Sequence, residues 1–243
     1  MKTLLTALLT LALTTSVHAA EAKAKAKAKV EVINTGKGGN NTRHLLKRVD
    51  SVLAESKPDV VVLMVGTNDA LNSRAMVPVD EYQNNLLTLI EKFRAAGAQP
   101  ILMTILPCHV PYLIERHGEE AFAKESPEQR IAAINTVIHD FAAAEKIPLI
   151  DIHHIYTAIG EPGESETSLL RNEANARTRD GVHPTRDGYR IIATAVFQKI
   201  QSLENSPSRI LCFGDSITFG AGMEGAGTAT GDSYPGMLAR LLE

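Results

Sequence analysis

From Val30 onward the chain alternates short apolar runs with longer amphipathic stretches. Val30–Ile33 reads as a strand, and the unbroken apolar run Val60–Val65 has the character of a parallel strand buried on both faces. Ile101–Leu106 and Pro148–Ile150 predict two more strands, and Ile210–Phe213 the last. Between them apolar residues recur at helical spacing. Leu45, Leu46, Val49, Val52 and Leu53 share one helix face, as do Tyr82, Leu86, Leu87, Ile90 and Phe93. Ile131, Ile134, Val137, Ile138 and Phe141 repeat the pattern, and so do Ile191, Ile192, Ala195, Val196 and Ile200. Strands alternating with helices imply an α/β fold, a parallel sheet of about five strands covered on both faces.

No internal repeat is visible, and no internal linker is long enough to split the chain, so residues 31–243 are expected to form one domain. Ahead of it, Lys2, the apolar run Leu4–Leu13 and Val17-His18-Ala19 have the layout of a signal peptide over residues 1–19. The run is too short for a membrane-spanning helix. Residues 20–30, with Lys23, Lys25, Lys27 and Lys29 among alanines, read as a solvated linker. The expectation is a secreted or periplasmic protein without stable membrane insertion.

Composition narrows the function mainly by exclusion. A formal net charge of -3 gives no case for nucleic-acid binding. Six Phe, five Tyr and no Trp leave few platforms for carbohydrate stacking, which weakens a pure sugar-binding module. Cys108 and Cys212 carry no metal-site spacing; Cys212 lies in an apolar run and reads as a buried free thiol.

In open sheets of this class, sites form beyond the carboxyl ends of the strands. There the chain places Gly36 to Asn40, Gly66-Thr67-Asn68-Asp69, Pro107-Cys108-His109 and Gly214-Asp215-Ser216. A serine held at a sharp turn after a strand can act as a nucleophile if a base takes its proton. An ordinary turn or a helix N-cap accounts for the same tripeptide. His183 is a base candidate, with Asp180 three residues earlier in a Gly/Pro-bearing loop, able to bend toward the ring. A surface histidine in a turn is the plain alternative, and the chain has seven other histidines. Oxyanion donors are available from the Gly39 amide, the Asn68 side chain and the Ser216 amide. Gly39 alone could be a positive-φ loop residue, and Asn68 a cap.

Taken together, these segments resemble the SGNH (GDSL-type) hydrolases. Gly214-Asp215-Ser216-Ile217-Thr218 is similar to the family's serine block, and Gly36 to Gly39 to its glycine block. Gly66 to Asp69 is similar to Gly-x-Asn-Asp, and Asp180 to Pro184 to Asp-x-x-His-Pro. The resemblance implies a flavodoxin-like three-layer α/β/α sandwich and a serine esterase. Its catalytic residues would be Ser216, His183 and Asp180; its oxyanion hole would be formed by Ser216, Gly39 and Asn68; it would need no metal and no cofactor. The family range implies small acyl esters, acetyl above all, on small molecules or carbohydrate. A lysophospholipase or thioesterase working on longer chains is the alternative, and a catalytically silent binding module on the same scaffold is another.

The order of the blocks departs from the family, whose serine block comes first; here it comes last. This implies a circular permutation that makes the nucleophile strand C-terminal, with Glu204 to Ser208 joining the former ends. A tandem protein cut inside its second unit is the rival explanation. The stretch from Cys108 to Glu128 is long for a simple connection and reads as a lid or pocket wall, or as a surface elaboration with one extra helix. Ile159 to Arg179 is expected to shape the pocket's other side.

Overall fold

The computed structural model describes residues 30–243. The signal peptide read over residues 1–19 and all but the last residue of the linker lie outside the described residues. Five strands form one parallel sheet: β1 (Glu31–Asn34), β2 (Val60–Met64), β3 (Gln99–Met103), β4 (Leu149–Ile150) and β5 (Arg209–Gly214), in the order β1-β5-β2-β3-β4. The last strand in sequence therefore sits inside the sheet. Counted from β5, the order becomes 2-1-3-4-5, that of flavodoxin-like sheets.

All of β2 is buried, because both faces are covered. Val61 and Leu63 point to one layer, with α1 (Thr42–Leu46), α2 (Val49–Ser56), α4 (Val79–Ala95) and α6 (Pro127–Ala144). Val60, Val62 and Met64 point to the other, with α7 (Ile152–Ile159), α9 (Arg186–Gln201) and α11 (Tyr234–Leu242). The short helices α3 (Thr67–Leu71), α5 (Val110–His117), α8 (Glu173–Ala176) and α10 (Ser216–Phe219) lie in the connections. Full burial of a large aliphatic or aromatic side chain stabilises by about 1.5–3 kcal/mol. A central strand such as β5, with Ile210, Leu211, Cys212 and Phe213 all fully buried, is thus a major part of the core.

Several sequence expectations shift. The helix read through Leu45 to Leu53 is two helices, broken at Lys47 and Arg48. The Arg48 guanidinium turns inward and donates to Thr35 O, Gly214 O and Asn40 Oδ1 at 2.8–3.0 Å. On α4 the buried face runs through Leu89, while Leu87 is exposed. The third strand ends at Met103 rather than Leu106. Ile105 and Leu106 stay buried, but Asn135 takes over the Ile105 backbone, accepting from its amide at 2.8 Å and donating to its carbonyl at 3.2 Å. The pairing partner β4 has only two residues, Leu149 and Ile150, so the ladder cannot extend.

Both cysteines are free and buried. Among the described residues, no helix is long and apolar enough to cross a membrane.

Candidate active site

The site is assembled at the carboxyl ends of β5, β1 and β2. At Gly214 the chain has no room for a side chain: a Cβ there would lie 2.2 Å from the Met64 carbonyl oxygen. Asp215 then caps α10, its Oδ1 accepting from the Ile217 amide at 2.8 Å, and this leaves Ser216 as the first helical residue. Its amide, lacking an intrahelical acceptor at that position, donates to nothing among the described residues.

The loop before α9 delivers the other two groups. Gly181 adopts φ +70, a left-handed turn that folds Asp180 back under His183. Asp180 Oδ1 accepts from the Val182 and His183 amides at 3.1 and 3.0 Å. The His183 ring sits with Nδ1 2.9 and 3.0 Å from the two Asp180 oxygens, and with Nε2 2.9 Å from Ser216 Oγ. With the carboxylate ionised, Nδ1 carries the proton and Nε2 accepts from the serine hydroxyl. Burial alone would raise the Asp180 pKa, but the His183 ring and the backbone amides hold it down to about 2. The loop is clamped from outside: Gly181 N donates to Arg171 O, Arg171 N to His183 O, and His109 N to Gly181 O, all at 2.8–2.9 Å.

Gly39, at φ +73, and Asn68, in α3, complete the set. The Asn68 Nδ2 donates to Asn40 O at 2.9 Å and its Oδ1 accepts from Asn72 at 3.0 Å, so the amide is oriented with one N–H left over. The Gly39 amide has no acceptor among the described residues. Ser216, His183, Gly39 and Asn68 line one cavity of about 310 Å³, with Asp180 behind the imidazole. All five residues singled out in the sequence are thus brought together, in a geometry suited to attack on an acyl carbon and stabilisation of the oxyanion.

A separate cavity of about 440 Å³ is lined by Cys108, His109, Glu128 and His153, and holds no serine–histidine pair. Burial, with Glu128 adding to it, pushes the Cys108 thiol up to about 12, so it offers no thiolate nucleophile near neutral pH. The stretch after Cys108 folds as α5 and a 3-10 turn, Glu119–Phe122. Leu113, Arg116 and His117 of α5 wall the cavity that holds Ser216 and His183. Residues 159–179 contribute nothing to that lining; Arg171 among them backs the loop that carries Asp180 and His183.

Three arginines escaped sequence reasoning. Arg48 ties the end of β1 to the end of β5, two residues ahead of Ser216. Arg171 Nη1 lies 3.6 Å from Asp180 Oδ2, and Arg116 Nη2 lies 3.9 Å from Oδ1. In a single sequence each looks like an ordinary surface charge, and no local pattern marks it out.

The profile of the GDSL-like lipase/acylhydrolase family matches residues 12–191. The Escherichia coli K12 thioesterase 1/protease 1/lysophospholipase L1 is 26% identical over 177 residues, covering 73% of this chain and 70% of that protein. An acetylxylan esterase of Geobacillus stearothermophilus is 24% identical over 178 residues, 70% of this chain and 72% of its own. The crystal structure of a GDSL-like lipase from Bacteroides thetaiotaomicron superposes with a TM-score of 0.51 at 26% identity, over 68% of this chain and 73% of its own. A parallel sheet in flavodoxin-like order and a family profile spanning most of the sequence lead to one conclusion: the chain belongs to the GDSL-like lipase/acylhydrolase family of carboxylic ester hydrolases.

Proposed function

We propose that this protein is an exported serine esterase that removes small acyl groups, acetyl above all, from small molecules or carbohydrate. The observation that carries the reading is the continuous chain Asp180–His183–Ser216, each link 2.9 Å, ending in a cavity with unpaired donors. Ser216 Oγ attacks the ester carbon while His183 Nε2 takes its proton, and Asp180 balances the imidazolium. The oxyanion rests on the amides of Gly39 and Ser216 and on Asn68 Nδ2. The imidazolium then protonates the departing alcohol, leaving an acyl-serine. Water, deprotonated by the same nitrogen, releases the acid and restores the serine. The scheme calls on no metal or organic cofactor.

The size of the acyl group is argued from the cavity. The cavity is only about 310 Å³, and its large apolar side chains are three, Leu71, Leu113 and Val182, which suits a short chain better than a long one. The similarity to the Escherichia coli thioesterase/lysophospholipase favours the second reading, longer acyl chains. A series of 4-nitrophenyl esters from acetate to palmitate separates the two: we expect kcat/KM to peak at acetate to butyrate, and a peak at the long esters overturns the small-acyl reading. Ser216→Ala is expected to lower turnover by about a thousandfold or more with the fold kept. A serine-reactive phosphonate should label Ser216; a folded protein that resists labelling would instead be a silent binding module.

The same reading covers the chain's organisation. Residues 31–243 form one hydrolase unit, circularly permuted, with residues 1–19 a signal peptide and 20–30 a tether. Two observations support the permutation: the sheet order counted from β5, and a family match that ends at residue 191, before β5 begins. The apolar run behind Lys2 supports export.

A further inference from the structure

The catalytic cavity has an uneven electrostatic wall. No Asp or Glu lines it, whereas Arg116 does. The Arg116 guanidinium is anchored by one nitrogen only: Nη2 donates to the carbonyls of Arg179 at 3.2 Å and Asp180 at 2.8 Å. Its Nε–H and Nη1–H groups have no acceptor among the described residues, and the side chain is 39% exposed. Glu115, its neighbour on α5, turns instead to Arg179, with Nε 2.7 Å from Oε2. Asp180, at 3.9 Å, is already engaged by His183 and faces Arg171 as well. One carboxylate thus stands against two guanidinium groups. Arg74, exposed and without a salt-bridge partner among the described residues, adds positive charge at the same corner, beside His117.

Nη2 alone meets both carbonyls, so the clamp leaves Nε–H, Nη1–H and the positive charge at the edge of the cavity that Arg116 lines. A guanidinium held still through Nη2 keeps its full charge and has single Nε–H and Nη1–H donors unpaired, so it offers an anion a fixed positive charge and a hydrogen bond. We propose that Arg116 is a specificity-determining residue that binds an anionic group of the substrate, a carboxylate or phosphate carried near the scissile ester, so that anionic esters are preferred over neutral ones. The proposal deepens the esterase reading and rests on Ser216 as the nucleophile.

The test compares matched ester pairs on the full protein at low salt. 4-Acetoxybenzoate against its methyl ester places a carboxylate on the alcohol side; 4-acetoxyphenyl phosphate against phenyl acetate places a phosphate there. Mono-4-nitrophenyl glutarate against 4-nitrophenyl butyrate places a carboxylate on the acyl side. In at least one pair the anionic member should show kcat/KM about tenfold higher, the preference shrinking with added salt and disappearing in Arg116→Gln. Arg116→Lys should recover part of it, since the charge returns without the Nη2 clamp that holds it in place. Arg74→Gln, which leaves the surroundings of Asp180 untouched, should halve the preference roughly, and it serves as the probe if Arg116→Gln fails to fold. Equal kcat/KM within every pair overturns the proposal. So does an Arg116→Gln variant that slows both members by the same factor, because that is the mark of a clamp. No hydrolysis of any ester, with no phosphonate labelling, overturns the esterase reading itself, and is distinguishable from equal turnover.

Discussion

Arg48 Nη2 donates to the carbonyl of Gly214, two residues ahead of Ser216, at 2.9 Å. The same guanidinium holds Thr35 O at the end of β1 and Asn40 Oδ1 beside Gly39, and lies 4.4 Å from the Phe213 ring centroid. One side chain therefore fixes both the turn that carries Ser216 and the loop that carries Gly39. Burial lowers its pKa to about 10, still leaving it charged at neutral pH.

Arg48→Met should keep the stem and lose the donors. We expect a loss of about 2 kcal/mol in stability, the scale of charge-assisted hydrogen bonds removed. The rate should also fall, mainly in kcat, because the oxyanion donors shift relative to Ser216. Arg48→Lys should recover the charge but not the three-way geometry. Urea titration with steady-state kinetics on one ester checks both; unchanged kcat in Arg48→Met would mean that the turn holds itself.

Asp180→Asn tests the orienting acid. Asn preserves an oxygen for the two loop amides but cannot favour the Nδ1–H tautomer, so kcat should drop by about ten-thousandfold with the fold retained. The stability effect has a definite pH window. The Asp180 pKa is about 2 in the fold against an ordinary 3.8, so its ionised form stabilises the fold above pH 3.8, and that contribution is lost as pH falls through 2. Wild type and variant should therefore differ in unfolding free energy at neutral pH and converge below about pH 2.

The fold was more legible than the support of the site. Parallel strands buried on both faces announce themselves as apolar runs; the motifs around Asp180, His183 and Ser216 each fit an ordinary turn or cap, and only their joint occurrence with Gly39 and Asn68 at strand ends marks a site. Boundaries were less legible where a side chain replaced a backbone partner. Asn135 ends β3, and Arg48 splits the first helix; neither has a local signature, since each acts on residues distant in sequence. Leu87 and Leu89 show the other limit, because both fit an apolar stripe and only packing decides which is covered.

Asp215 carries a stability cost with the opposite sign. It is fully buried, its Oδ2 has no partner, and burial raises its pKa to about 6, with the Ile217 amide opposing. The folded state therefore binds more protons than the unfolded chain between pH 3.8 and 6, and stability falls as pH rises across that window. Asp215→Asn keeps an oxygen for the Ile217 amide and removes the charge. It should be more stable than wild type at pH 8 by about 2 kcal/mol, with the difference vanishing below about pH 4. Thermal unfolding at pH 4, 6 and 8 checks this, and a variant less stable at pH 8 would show that the charge is compensated.

Deleting residues 205–243 tests how the chain is organised. If β5 began a second unit, the first would be complete without it, and the shortened protein would melt cooperatively as a monomer. The sheet argues otherwise. β5 pairs with β1 on one side and β2 on the other, so its loss leaves β1 with no neighbour and exposes one edge of β2. Ile210, Leu211, Cys212 and Phe213 leave both core layers at once, and α11 no longer covers α9 and β1. Removing even one such aromatic typically costs about 3–5 kcal/mol, a large share of a domain's whole 5–15 kcal/mol. The deletion should yield no cooperatively folded protein. Moving residues 209–243 ahead of residue 31 through a short flexible link, by contrast, should restore both fold and esterase activity, because it rejoins the same strands in the order 2-1-3-4-5. A folded, monomeric deletion product would refute the permutation, and would do so whatever the relocated chain does.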